Sequence, residues 1–146
     1  MEIKPHKTVL SRSTRSKESF EQIDSWVTNC LENHEACKNV VPQTRFTPTR
    51  LIEIVAVNDD GFKIRLRKAS SLNASVKYAT LSHCWGSSMP FKLTKENLTL
   101  CMQEIPFEKL SKVFKDAIFV ASQCGISYIW IDSICESKML SGCFRT

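Results

Sequence analysis

Apolar residues recur along this chain with different periods, and each period marks a different element. Phe20, Ile23, Val27, Cys30, Leu31 and His34 return at helical spacing. Ser19 opens a Ser-x-x-Gln pattern with Gln22, the reciprocal capping arrangement that starts a helix, so a helix is predicted from Ser19 to about Asn33. Leu51–Val57 is an almost continuous β-branched and aliphatic run, followed by the turn signal Asn58-Asp59-Asp60-Gly61, where Gly61 can take positive φ. Phe62–Lys68 alternates with period two, which sends Phe62, Ile64 and Leu66 inward and Lys63, Arg65 and Arg67 to water. The pair predicts a β-hairpin with one wet face.

The strongest helical stripe is Leu110, Val113, Phe114, Ala117, Ile118, Ala121 and Cys124, with Ser111 as cap and Gly125 as the left-handed terminator. A shorter helix is expected over Thr94–Met102, capped by Thr94, with Leu98 and Cys101 inward, and Pro106 ends that stretch. Ile126–Ile134 is apolar on both strand faces until Asp132, the pattern of a central parallel strand covered by helices on both sides. Tyr78–Gly86 begins as a strand and ends in a polar, aromatic turn broken by Gly86 and Ser87-Ser88. Strand, helix and strand in this order make a right-handed crossover unit. The predicted class is therefore α/β. The organisation reads as a mobile basic arm over 1–17, a lead-in of helix and hairpin over 18–77, a core segment over 78–135 and a tail over 136–146.

The length suits a single modest core. No apolar run approaches a membrane span, and the N-terminus lacks the apolar stretch of a secretion signal. The net charge of +5 is too diffuse to argue for nucleic-acid binding. Seven scattered cysteines, mostly inside apolar patterns, fit reduced buried thiols in a cytoplasmic protein better than a disulfide framework.

In a parallel α/β sheet, ligands sit beyond the carboxyl ends of the strands. Two polar corners fall at that edge. One offers Ser82, His83, Cys84, Trp85 and Gly86, and the other offers Asp132, Ser133 and Cys135. While strand geometry holds, Ser82 and Cys84 share a face and His83 lies on the other, which disfavours a nucleophile–base pair between neighbours. Asp132 can accept from His83, from Ser82 or from amides of the Trp85–Gly86 turn, either as a structural network or as part of a catalytic group. Trp85 is the better candidate for stacking on a flat ligand, and Trp130 reads as core. An aspartate carried on a helix instead of a strand end would remove this pocket. Elsewhere, Cys30, His34 and Cys37 share one helix face with spacings of four and three and are the candidate zinc ligands, though without a Cys-x-x-Cys pair no metal is expected.

The blocks Tyr78–Gly86 and Tyr128–Cys135 resemble the signature of the fungal heterokaryon incompatibility (HET) domain. Leu93-Thr94, Asn97, Phe114-Lys115-Asp116-Ala117-Ile118 and Gly125-Ile126 match between them. The resemblance implies a TIR-like, flavodoxin-like parallel-sheet core, here incomplete, preceded by the N-terminal helix and hairpin. It implies non-self recognition and regulated cell-death signalling in a filamentous fungus, with other incompatibility or signalling proteins as partners, and self-association. A second implication is NAD cleavage, with NAD as substrate rather than cofactor, although the glutamate used by TIR-type hydrolases has no counterpart that can be matched. Ser111 and Val113 stand where the family usually has proline and threonine. Family sequence stops at Cys135, so a C-terminally truncated domain is expected, with Ile129, Ile131 and Ile134 losing part of their cover.

Overall fold

The structure is a computed structural model that describes residues 13–38, 48–58, 61–73, 76–84 and 91–136. The chain divides into two compact units, residues 1–45 and 46–146.

In the first unit, helix α1 spans Lys17–Asn33. Its cap is Ser16, whose hydroxyl accepts from the Ser19 N–H at 3.2 Å. The predicted cap at Ser19 is thus corrected by one turn. Ser19 instead sends its own hydroxyl to the Ser13 carbonyl at 2.9 Å. The predicted arm lies largely outside the described residues. No residue of α1 is buried, and Val27 and Leu31 of its apolar stripe, like Trp26, are at least half exposed. The stripe therefore forms the helix without supplying a core. His34 leaves helical geometry and caps the end by donating its N–H to the Cys30 carbonyl at 3.2 Å, and a four-residue helix α2 follows over Glu35–Lys38.

The second unit holds a four-stranded sheet. Strand β1 spans Arg50–Asn58, β2 Gly61–Lys68, β3 Ala79–Thr80 and β4 Tyr128–Trp130, in spatial order β2-β1-β4-β3. β1 and β2 form the expected antiparallel hairpin, closed at Asn58↔Gly61 with φ +129° at Gly61, and the register slips between Ile54 and Ala56. The central turn residues Asp59 and Asp60 lie outside the described residues.

The sheet corrects the parallel expectation in two ways. β4 is parallel only to β3, through Ala79↔Ile129 and Thr80↔Trp130, and is antiparallel to β1, through Ile52↔Ile129 and Glu53↔Tyr128. The hairpin is thus not a lead-in beside the sheet but half of it. Nor is β4 sandwiched between helices. Its outward residues Tyr128 and Trp130 share a face with Glu53, Arg65 and Arg67, and this face is only partly buried. An apolar run permits cover on both faces, but the amphipathic Tyr128 hydroxyl instead donates to Glu53 Oε1 at 3.1 Å.

The other face carries the core. Ile52, Ile64, Leu66 and Ile129 pack there against helices α3 (Leu98–Gln103) and α4 (Lys112–Gln123), which supply Cys101, Phe114, Ile118 and Ala121. Ser111 caps α4 by accepting from the Phe114 N–H at 3.3 Å, and Gly125 ends it with φ +68°. Val113 departs from the predicted stripe and is 54% exposed, because it lies one residue out of phase with the buried Phe114. α3 starts later than predicted. Thr94 and Asn97 bond each other's amides in a closed turn at 3.3 and 2.8 Å, and the helix begins only at Leu98.

β4 is also shorter than the Ile126–Ile134 run. The chain leaves the strand at Ile131 and coils into a helical turn α5, Asp132–Cys135. This fold-back explains why the expected loss of cover does not occur. Ile129, Ile131 and Ile134 are 2%, 0% and 0% exposed. Arg50 donates from Nε to the Cys135 carbonyl at 2.9 Å, and the Leu93 N–H donates to the Ser133 carbonyl at 3.0 Å, tying the turn to β1 and to the segment before α3.

Candidate functional site at the carboxyl rim of β3 and β4

The parallel pairing of β3 and β4 brings their two carboxyl ends to one rim. The ladder continues one step past β3, where the Leu81 N–H donates to the Trp130 carbonyl at 2.9 Å. The chain after Leu81 is irregular but keeps alternating exposure. Ser82 and Cys84 are exposed and His83 turns inward. The His83 ring stands edge-on against Phe114 of α4, with centroids 4.9 Å apart and planes at 88°. Its side chain is 11% exposed, and Nε2 lies 3.8 Å from Asp132 Oδ1.

Asp132 sits on a helix, the circumstance expected to remove the pocket. It does not, because the helix starts at Asp132 itself. Ile131 is still extended, with φ −131° and ψ 117°, so the carboxylate leaves the chain at the rim. Asp132 Oδ1 also accepts the Ser133 N–H at 2.7 Å, which orients it. A cavity of about 320 Å³ opens here, lined by Thr80, Leu81, Ser82, His83, Trp130 and Asp132.

Among the residues singled out by sequence, the structure brings Ser82, His83 and Asp132 to this cavity. Ser133 is buried at 3% exposure and does not line it. Cys84 is exposed and not part of the lining, and Trp85 and Gly86 lie outside the described residues. Trp130, read from sequence as core, packs against the core and is also a wall of the cavity. Its indole Nε1–H is buried without a protein acceptor among the described residues, as is the Ser133 hydroxyl. The signal that could have found Trp130 was present in the strand itself. Tyr128 and Trp130 alternate with Ile129 and Ile131, and only the isoleucines need the core.

The thiol of Cys135 is fully buried. Burial pushes it up to about 12, against weaker opposing contributions from backbone N–H groups and the Arg50 charge. Glu53 lies on β1 opposite Tyr128 of β4, and sequence reasoning missed it. Burial raises its carboxyl, but hydrogen bonds from Arg65 and Tyr128 and the charges of Arg65 and Arg67 outweigh burial and hold it below the usual range. The wet face of the hairpin is therefore an ion-pair network rather than a free cationic surface.

The cavity lining thus carries an imidazole, a carboxylate, the hydroxyls of Thr80 and Ser82 and the Trp130 indole, beside Leu81. Such a set can bind a polar or flat ligand. The segment that builds it, residues 78–139, matches the family model described as "Heterokaryon incompatibility protein (HET)". That segment is similar to the HET domain. The match runs past Cys135, where the sequence reading ended the resemblance. No curated protein and no solved structure matches the chain. The HET segment supplies both strands of the rim and every residue of the cavity lining. No helix among the described residues is long and apolar enough to cross a membrane.

Proposed function

We infer that the chain is an incompatibility module whose working surface is the cavity at the β3–β4 rim. In this reading it acts in the cytoplasm of a filamentous fungus, in non-self recognition coupled to regulated cell death. It meets other incompatibility or signalling proteins, or further copies of itself. The observation that carries the reading is that the HET match and the cavity lining fall on the same residues. The TIR-like form of the core belongs to the same reading. It is supported by the parallel β3–β4 pair, joined through α3 and α4, with polar groups at its carboxyl rim. Inducible expression in a filamentous fungus tests it. Growth arrest is expected with the parent chain and is lost with His83→Ala and with Asp132→Ala. Arrest that is equally strong with both variants, or no arrest from well-expressed parent chain, refutes it.

The second reading is cleavage of the nicotinamide–ribose bond of NAD. Asp132 favours it, as the carboxylate of the cavity lining. Such a reaction develops oxocarbenium-like charge on the ribose, and a carboxylate beside it stabilises that charge. Nicotinamide release that disappears in Asp132→Asn supports this reading. No release at high protein concentration removes it and leaves the module reading standing.

A further inference from the structure

The first unit contains a convergence that the HET segment does not explain. α1 ends at Asn33, His34 turns the chain out of helical geometry, and the Cys37 N–H closes the turn on the His34 carbonyl at 2.9 Å. This reversal carries Cys37 back beside Cys30, with the two sulfurs 3.1 Å apart. One ring nitrogen of His34 joins them, and the three candidate ligand atoms lie within 4.8 Å of one another. Around a tetrahedral zinc with Zn–S near 2.3 Å and Zn–N near 2.0 Å, ligand atoms sit about 3.5–3.8 Å apart.

The surroundings favour a metal. No residue of α1 is buried, so this helix and its turn lack a core of their own. Units of this size commonly take a disulfide or a structural metal in place of a core. A disulfide uses two sulfurs and gives the third ligand no role, whereas zinc uses all three. Among the described residues the group has three members, which leaves one coordination position to be filled from outside it.

We propose that Cys30, His34 and Cys37 bind one zinc ion that locks the end of α1 onto α2 across the His34 turn. Binding displaces the two thiol protons to solvent and takes neutral imidazole, so two thiolates balance the dication. None of these residues lines the cavity at the β3–β4 rim.

The test uses the full chain, purified with thiols reduced and without chelator, and Zn²⁺ and Co²⁺ as probes. One zinc per chain is expected. Cobalt loading is expected to give thiolate-to-cobalt charge transfer and the visible bands of a tetrahedral site. Cys30→Ser, Cys37→Ser and His34→Ala are each expected to weaken zinc binding by about 100-fold or more. A ligand swap guards against a variant that merely misfolds. Cys37→His is expected to keep stoichiometric cobalt while losing about half of the thiolate charge-transfer intensity. Substoichiometric zinc in the reduced parent chain overturns the proposal. So do affinity unchanged in His34→Ala, and a Cys30–Cys37 disulfide in chain isolated with its thiols trapped.

Discussion

Replacing Glu53 by glutamine tests whether charge holds the hairpin to the strand that carries the site. Backbone pairing between β1 and β4 is short, with Ile52↔Ile129 and Glu53↔Tyr128, extended by Ile54 N–H to the Ser127 carbonyl at 2.9 Å. The Glu53 carboxylate reinforces it from the face opposite the core. It accepts from Arg65 Nε and from the Tyr128 hydroxyl, and Arg67 Nε lies 3.8 Å away. Glutamine keeps the shape and removes the charge. A buried hydrogen bond to a charged group contributes about 1.5–3 kcal/mol. An exposed ion pair contributes about 0–1 kcal/mol. The Glu53 side chain is 17% exposed and its arginines 36% and 34%, so the network lies between these limits. Glu53→Gln is therefore expected to cost about 1–2 kcal/mol. For a unit of this size that lowers Tm by about 4–16 °C.

The pH dependence follows from the lowered carboxyl of Glu53, whose ordinary value is near 4.5. A group with a lower folded than unfolded value stabilises fully above the unfolded value, and loses that contribution as pH falls through the folded one. Thermal melts by circular dichroism should thus show a constant gap between parent and Glu53→Gln near neutral pH. The gap should narrow as pH falls below 4.5 and close once the folded-state carboxyl is protonated. Tyr128→Phe should cost about 0.5–1.5 kcal/mol alone, and less in the Glu53→Gln background. Equal melting of parent and Glu53→Gln at neutral pH would refute the reasoning, as would a gap that stays equally wide in acid.

Ile118→Ala empties a position with no exposure in the main cluster and should cost about 2–5 kcal/mol by urea unfolding; a cost near zero would mean α4 does not pack as described. Gly61→Ala should destabilise by about 1–3 kcal/mol, because φ is +129° and the new Cβ would meet the Phe107 ring at 2.9 Å. Gly125→Ala, at φ +68° with nothing within 4 Å, should cost about 1–2 kcal/mol, so a ranking with Gly125→Ala clearly the worse would be wrong for this geometry. With a thiol reagent on the native chain, Cys84 should react at once and Cys135 only after unfolding, and early labelling of Cys135 would contradict its burial. Native-state hydrogen exchange should protect the Ile129 and Ile131 amides strongly, and fast exchange there would show that β4 lacks the cover it has here.

Local chemistry was enough to read much of this protein from its residues. Period-two alternation and a glycine turn specify the hairpin. A seven-position stripe, the Ser111 cap and the Gly125 terminator specify α4, because caps and periodicity act within a few residues of chain. The signature blocks likewise pointed to the HET segment and to its two polar corners. Contacts between distant segments were not legible. No local signal tells β1 to pair with β4, so the hairpin's place in the sheet and the role of Glu53 emerge only from a cross-strand register. An apolar run states that residues avoid water but not on which face, and so it missed the helical turn at Asp132 and the exposure of Trp130 to the cavity. The same limit applies at the other end of the chain. Spacing put Cys30, His34 and Cys37 on one helix face, yet the His34 turn is what brings their ligand atoms within 4.8 Å. Periodicity records the preferences of each segment, while sites arise where separate segments meet.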